Sequence, residues 1–204
     1  KVNLAMKFSM VVSIPSFLGL FFLSYPIMAL LFPGHSDGYT ILKYLSISLP
    51  FIIICQTSTA ILQGVGKYII PVINLIIGCI IKVFLTNTLV AIPSMNIYGA
   101  VIGTIIGYVV SSLLNLICLK HLLKVKINYY ENIIKPIYAS VIMIIVVILT
   151  YSFTYSKVMR NSISCLISIF AGVIIYSILI VGMEIFSYDY MKIKFFKSRR
   201  REQR

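Results

Sequence analysis

Six long apolar stretches limit what this chain can fold into more than any other feature of its sequence. Each stretch reaches the roughly 20 residues that an α-helix needs to cross about 30 Å of hydrocarbon. We place them at Phe8–Phe32, Ile41–Leu62, Tyr68–Val90, Ile97–Leu119, Pro136–Tyr155 and Ser162–Phe186. Gly64 and Gly66 predict a turn after the second stretch, and Pro136 suits the first turn of the fifth. The sequence therefore predicts an all-α integral membrane protein with six transmembrane helices.

The composition excludes an ordinary soluble domain. Hydrophobic residues make up 60% of the 204 residues and charged residues only 11%, and the mean hydropathy is +1.01. Soluble domains are about half apolar and about a quarter charged. The formal net charge of +13 would suggest nucleic-acid binding in a soluble chain. In a chain with so little polar surface, basic residues act as topology and lipid-headgroup signals, so we expect membrane lipids and no nucleic acid as partners.

The basic residues are distributed unevenly between the two sides of the predicted bundle. If consecutive spans alternate in direction, fourteen of the 18 Lys and Arg residues fall on the side where the chain begins, three fall on the other side, and Lys82 lies within a span. Cytoplasmic loops collect Lys and Arg. We therefore predict that both termini are cytoplasmic. The abundance of Ile, Lys, Asn and Tyr is typical of an AT-rich bacterial genome, which points to a bacterial plasma membrane.

One connection is longer than the others and divides the chain. The basic segment Lys120–Lys135 separates four spans from a final pair. We predict four transmembrane helices in 1–127, an amphipathic linker and terminal transmembrane hairpin in 128–186, and a basic cytoplasmic tail in 187–204. The tail has two interpretations, an orientation signal or a docking site for an acidic partner.

Polar and small residues recur at helical spacing in three consecutive spans, so that each set forms a stripe on one helix face. The stripes are Gln56, Thr59 and Gln63 in the second span, Asn74, Gly78, Lys82 and Thr86 in the third, and Gly99, Gly103, Gly107, Ser111 and Asn115 in the fourth. A repeated glycine face lets backbones approach closely, so we assign the three glycines of the fourth span to helix packing. For the Gln, Asn, Thr and Ser side chains two interpretations remain open. They form hydrogen bonds between helices, or they line a polar cavity as candidate substrate-binding residues.

Lys82 is the most informative single residue of the stripes. It lies roughly 12 Å below the outer edge of the hydrocarbon, at 1.5 Å of rise per residue. An ammonium group at such a depth costs at least about 2.5 kcal/mol. One interpretation is that its long stem carries the charge back to the interface. The other is that Lys82 faces a wet cavity and binds an anion, most plausibly phosphate.

The sequence offers no basis for an enzyme. No span contains paired carboxylates, a nucleophile with a neighbouring base, or a glycine-rich phosphate loop. The 4 cysteines lie in apolar runs without CxxC spacing, and we expect them to be small buried side chains rather than disulfides or metal ligands. We therefore expect no catalytic residue, no cofactor and no metal.

Three segments of the chain resemble a known family. They are SIPSFLGLFFLSYPIMALLFPG (13–34), QTSTAILQGVGKYIIPVINLIIGCIIK (56–82) and NIYGAVIGTIIGY (96–108). These segments are similar to the C-terminal half of the stage V sporulation protein B (polysaccharide biosynthesis) family of oligosaccharidyl-lipid flippases, which are related to the lipid II flippase and to the multidrug and toxin extrusion transporters. The turn LQGVGK, followed by Pro71, Asn74 and Lys82, is the most specific part of the resemblance.

The resemblance implies a fold and a function. Family members have fourteen helices in two six-helix lobes plus a terminal pair, so the six spans here would be the last six helices. Such a protein would move a polyprenyl-diphosphate-linked saccharide, a peptidoglycan precursor for cell wall or spore cortex, by alternating access. By the same resemblance Lys82 would attract the diphosphate, the polar stripes would bind sugars, and the terminal hairpin would add a groove for the lipid tail. The missing N-terminal lobe would supply half of the cavity, so we expect the chain alone to be inactive.

Two other functions remain open. A cation-coupled multidrug exporter of the related family would be expected to carry intramembrane Asp or Glu, and the six spans have none at depth. A membrane scaffold that transports nothing would explain the polar stripes as packing alone, against which the polar run from Gln56 to Thr59 argues modestly.

Overall fold

Helices account for nearly all of the residues that the computed structural model describes, which are 2–34, 36–123 and 133–183, and none of these residues forms a strand. The α-helices are α1 (Val2–Phe22), α2 (Ser24–Leu31), α3 (Tyr39–Leu45), α4 (Leu49–Gly64), α5 (Ile69–Val90), α6 (Ile97–Leu123), α7 (Lys135–Val158) and α8 (Asn161–Gly182). Short 3₁₀ turns, Ser36–Gly38 and Ser46–Ser48, precede α3 and α4. The predictions for the amphipathic linker and the basic tail lie outside the described residues.

Six helical segments are long and apolar enough to cross a membrane, which confirms the predicted all-α integral membrane fold. They are Val2–Phe22, Ser36–Gly64, Ile69–Val90, Ile97–Leu122, Lys135–Val158 and Asn161–Gly182. Large apolar side chains such as Phe84, Phe170 and Val181 are more than 60% exposed on the outside of the bundle. This exposure is what contact with lipid tails requires, since hydrocarbon does not penalise apolar surface.

The first two spans begin earlier than predicted, and each is interrupted by a proline. A proline has no N–H to donate to the carbonyl four residues before it. Pro26 therefore cannot pair with Phe22, and the helix breaks at Leu23 (φ −97°, ψ 14°) before it resumes as α2. Pro50 has the same effect at Ser46, where the chain forms a 3₁₀ turn and Leu49 donates its N–H to the Ser46 carbonyl. The periodicity of the apolar residues continues through both breaks, so it does not reveal them.

The connections between the second and third spans and between the fifth and sixth spans are short. The predicted turn after the second span is present: Gly66 adopts a left-handed conformation (φ +79°), and the Lys67 N–H donates to the Leu62 carbonyl at 2.9 Å. α7 and α8 are joined through Met159, which is also left-handed (φ 53°). Pro136 lies in the first turn of α7, as predicted, where a missing N–H costs nothing.

The contacts between α5 and α6 show that these two helices are antiparallel. Asn74 near the start of α5 contacts Asn115 near the end of α6, and Leu89 near the end of α5 lies against Gly99 near the start of α6. α7 and α8 form a second close pair.

α1 packs against both halves of the fold. One set of its side chains, including Met6, Met10 and Ile14, is buried with Ile54 of α4. On another face Val11 is buried with Val147 of α7 and Tyr176 of α8. The terminal hairpin also contacts α2 through α8, so the first span, α1 together with α2, joins the first four spans to the hairpin.

Candidate functional site

A cluster of buried amide and hydroxyl groups joins α4, α5 and α6. At its centre, Asn115 is fully buried. Its Nδ2 donates to Thr59 Oγ1 at 3.1 Å, and its Oδ1 accepts from Asn74 Nδ2 at 2.8 Å. One turn earlier on α6, Ser111 Oγ donates to the Asn74 carbonyl at 3.3 Å. The fold thus brings four of the predicted site residues into one network.

Both amides of this cluster find their partners within the protein. Asn115 Nδ2 also lies 3.4 Å from the Cys55 carbonyl oxygen, and Asn74 Nδ2 lies 3.6 Å from Cys118 Sγ. Hydrogen bonds between helices in a membrane contribute about 0.6 kcal/mol on average and up to about 1.7 kcal/mol, whereas a buried amide without partners costs about 1–3 kcal/mol. The cluster therefore stabilises the association of three helices.

The glycines of α6 lie directly against the α5 backbone. A Cβ atom built at Gly107 would be 2.8 Å from Lys82 Cβ and 2.9 Å from the Gly78 carbonyl oxygen. At Gly99 it would be 2.7 Å from the Leu89 carbonyl carbon. Such distances are shorter than any real side chain tolerates, so only glycine permits this approach of the two backbones.

Thr86 lies at the same interface, opposite Gly103. Its Oγ1 is buried and has no hydrogen-bond partner among the described residues. The atom lies 2.5 Å from the position of a Cβ at Gly103, so the hydroxyl faces the α6 backbone rather than an open space. The interaction that remains open to the Thr86 hydroxyl oxygen is a weak Cα–H···O contact with the α6 backbone.

Lys82 lines two cavities on either side of the α5–α6 interface. One has a volume of about 220 Å³ and is also lined by Cys79 and Ser111. The other is about 290 Å³ and is lined by Ser46, Ser48 and other residues of the first, second and fourth spans. The Cβ of Lys82 lies against Gly107 of α6, and the residue lines both cavities.

No described carboxylate lies near Lys82. Asp37, in the connection before α3, is the one acidic residue among the described positions, and neither cavity includes it. The polar groups that line the cavities with Lys82 are hydroxyls, from Ser111, Tyr108 and Thr104 among others. Four of these hydroxyls donate to backbone carbonyls, those of Ser46, Ser48, Thr104 and Ser111. Lys82 is therefore the charged donor of both cavities, and a cation without a neighbouring carboxylate suits an anionic ligand such as a phosphate better than it suits a second cation.

Gln56 and Gln63 lie apart from the amide cluster. Both side chains are exposed on the outward face of α4, with Ala60 between them. Gln56 is half way along the helix, so a polar amide faces outward at membrane depth, where lipid is an unfavourable neighbour. Of the predicted stripe on α4, only Thr59 points to α6.

Some polar residues near the site were not predicted from the sequence as site residues. Ser9 of α1 hydrogen-bonds to Thr57 of α4, and Tyr108 lines both cavities with Lys82. Thr57 belongs to the polar run that begins at Cys55, which was the available signal. Nothing in the sequence distinguishes Tyr108 from the other tyrosines at span positions.

An apolar groove of about 460 Å³ lies between α1 and the terminal hairpin. Its lining includes Pro15 and Gly19 of α1, Val147 of α7 and Gly172 of α8. The hydroxyls of Ser16 and Ser177 at its edge are turned to the carbonyls of Val12 and Val173. The groove therefore offers almost no free polar group.

No group of three or more metal-binding side chains occurs within 2–34, 36–123 and 133–183. A scan of protein-family models, a search of curated proteins and a search of solved structures found no match to this chain.

Proposed function

We propose that the chain forms the C-terminal part of a flippase for a polyprenyl-diphosphate-linked saccharide, used in cell-wall or spore-cortex synthesis, in a bacterial plasma membrane with both termini of the chain cytoplasmic. The proposal rests on the position of Lys82. It is a cation in the middle of a span, and it lines two cavities that no described carboxylate lines.

An anionic partner would offset the insertion cost of the Lys82 charge. At an effective dielectric constant of about 20, two unit charges about 4 Å apart attract each other by about 4 kcal/mol. Placing a lysine at the centre of a span costs about 2.5–3.5 kcal/mol. An anionic group that enters the cavities therefore recovers an energy of the same size, and a diphosphate carries the necessary charge.

The apolar groove supplies a place for the lipid tail. Leu20 of α1 lines one of the Lys82 cavities, and the neighbouring Gly19 lines the groove. A molecule with a charged head and a long apolar chain could thus contact both sides of α1. This pairing of a cationic pocket with an apolar groove supports a lipid-linked substrate over a soluble one.

In this proposal the missing N-terminal lobe completes the site. The outward amides of Gln56 and Gln63 would face a polar cavity between the two lobes rather than lipid, and rocking of the lobes would expose that cavity to either side. The amide cluster of α4, α5 and α6 would keep its own lobe rigid. Transport breaks no covalent bond, so we propose no enzymatic step, and we expect this chain to be inactive without its partner lobe.

The proposal is tested by Lys82→Met in the full-length protein, with Lys67→Met as control, since Lys67 is exposed in the turn before α5. We expect Lys82→Met to slow the transfer of a fluorescent lipid-linked saccharide across proteoliposome membranes by at least about tenfold, which corresponds to about 1.4 kcal/mol. Insertion should be unimpaired because a buried charge is removed. Lys67→Met should retain transport. Unchanged transport by Lys82→Met would contradict the assigned role.

A further inference from the structure

Pro15 creates a defect in the middle of α1. In a regular helix the N–H of residue 15 would donate to the carbonyl of residue 11, and proline has no N–H. α1 continues through this position without a break, from Val2 to Phe22. The Val11 carbonyl is consequently left without its helical donor at a depth where no bulk water reaches it.

A tyrosine from the last helix replaces the missing donor. Tyr176 of α8 donates its hydroxyl to the Val11 carbonyl oxygen at 2.7 Å. Val11 is 6% exposed and Tyr176 8% exposed, so the bond is shielded from its surroundings. The contact joins two residues that are 165 positions apart in the chain.

The hairpin makes a second hydrogen bond at the other proline defect. Asn161, the first residue of α8, donates Nδ2 to the Pro26 carbonyl at 2.9 Å, just beyond the break at Leu23. The Tyr151 hydroxyl of α7 donates to Asn161 Oδ1 at 2.8 Å and orients the amide. The hairpin thus holds the first segment on both sides of its break.

These two bonds differ from the other side-chain hydrogen bonds of the hairpin. The hydroxyls of Ser140, Ser168 and Ser177, for example, return to carbonyls of their own helices. The side-chain hydrogen bonds that the hairpin makes to the described residues of α1 and α2 are those at Val11 and Pro26. Both acceptors are main-chain carbonyls, but only the Val11 carbonyl is the one that a proline leaves without its helical donor, whereas the Pro26 carbonyl lies just after the break at Leu23.

We infer that the terminal hairpin is a clamp on a proline hinge. Tyr176 stands in for the amide that Pro15 lacks, so α1 bends or straightens at this point only when the hydroxyl–carbonyl bond breaks and α8 moves with it. Because α1 also packs against α4, the clamp couples the position of the hairpin to the first four spans. The inference does not depend on the identity of any transported molecule.

A double-mutant cycle of Tyr176 and Pro15 in the full-length protein tests the clamp. Tyr176→Phe keeps the ring and removes the hydroxyl, and we expect it to lower the thermal midpoint by about 2–4 °C. Pro15→Ala restores an N–H that can donate to Val11. In that background the same Tyr176→Phe change should lower the midpoint by less than about 1 °C. Tyr138→Phe, at an exposed position of α7, is the matched control and should have no effect in either background.

A distance measurement provides a readout that does not require Pro15→Ala to fold. Spin labels at Val12 and Val173, both exposed at the groove, should give a narrow distance distribution that Tyr176→Phe broadens and Tyr138→Phe leaves unchanged. Equal midpoint shifts for Tyr176→Phe in the two backgrounds, or an unchanged distance distribution, would overturn the clamp.

Discussion

The two antiparallel pairs α5–α6 and α7–α8 are held together by different means. In α5–α6 the backbones meet at glycines, and side-chain amides and hydroxyls bond across the interface. In α7–α8 a hydrogen bond from Tyr151 to Asn161 joins the two helices near their connection, and the rest of the contact is made largely by apolar side chains such as Val147. A Cβ at Gly172 would meet side-chain atoms only, a methyl group of Val147 at 2.5 Å and Met143 at 3.8 Å. A backbone contact cannot yield, whereas a side chain can change its rotamer. The first pair is therefore a rigid wall for the Lys82 cavities, and the hairpin is the more adaptable element.

Of the substitutions that distinguish the two helix pairs, we expect Gly107→Ala to cause the largest loss of stability. The new methyl would overlap the Lys82 Cβ and the Gly78 carbonyl oxygen, so we expect a loss of roughly 3 kcal/mol or more of stability. Thermal unfolding in detergent, followed by size-exclusion of the folded fraction, measures it. Gly172→Ala in the hairpin should cost clearly less, and Gly19→Ala, where nothing lies within 4 Å, should be neutral or stabilising. Equal losses of stability for Gly107→Ala and Gly172→Ala would contradict the inferred difference in rigidity between the two helix pairs.

A smaller effect is expected from Asn115→Ala, which removes the centre of the amide cluster. Asn74 and Thr59 then lose their shared partner, and we expect a loss of about 2 kcal/mol. Because the two amides act together, Asn74→Ala should add little in the Asn115→Ala background. The control in the hairpin is Ser168→Ala, whose buried hydroxyl donates to the Ser164 carbonyl of its own helix and whose loss should change stability by less than about 0.5 kcal/mol. Additive losses at Asn74 and Asn115 would mean that the cluster is not one unit.

The smallest effect is expected from shortening a side chain in the hairpin core. Ile144 is 5% exposed, and Ile144→Val removes one methylene group, for which we expect a loss of about 1 kcal/mol. The surrounding side chains can move into part of the space. A loss as large as that of Gly107→Ala, in the same unfolding assay, would show that the hairpin is packed as rigidly as α5–α6.

The spans and turns could be predicted because they depend on local chemistry. The length of each apolar run, the turn at Gly66 and the place of Pro136 at a helix start all follow from residues close together in the chain. The breaks at Leu23 and Ser46–Ser48 were missed, although Pro26 and Pro50 cause them. Pro15 shows why: the same residue type leaves α1 unbroken when another helix supplies the missing hydrogen bond.

The candidate site could be predicted only in part. Asn74, Ser111 and Asn115 stand on the predicted stripes and meet in one cluster. Gln56 and Thr59 were predicted on the same face, yet α6 covers only Thr59 and leaves Gln56 exposed. They lie three residues apart, about 60° around the helix axis at 3.6 residues per turn. Which of the two side chains is covered depends on where the neighbouring helix lies. The periodicity of a single helix carries no information about that position.

The sequence by itself determined that this is a six-span, all-helical membrane protein with small and polar stripes on consecutive spans, because hydrophobic length and helical spacing are properties of short segments. Only the tertiary structure decided which polar groups are paired, which face the outside, and that Tyr176 bonds to a carbonyl 165 positions away. In hydrocarbon a polar group without a partner is costly. Which partner it finds depends on distances between helices that are remote in the chain, and these exist only once the chain has folded.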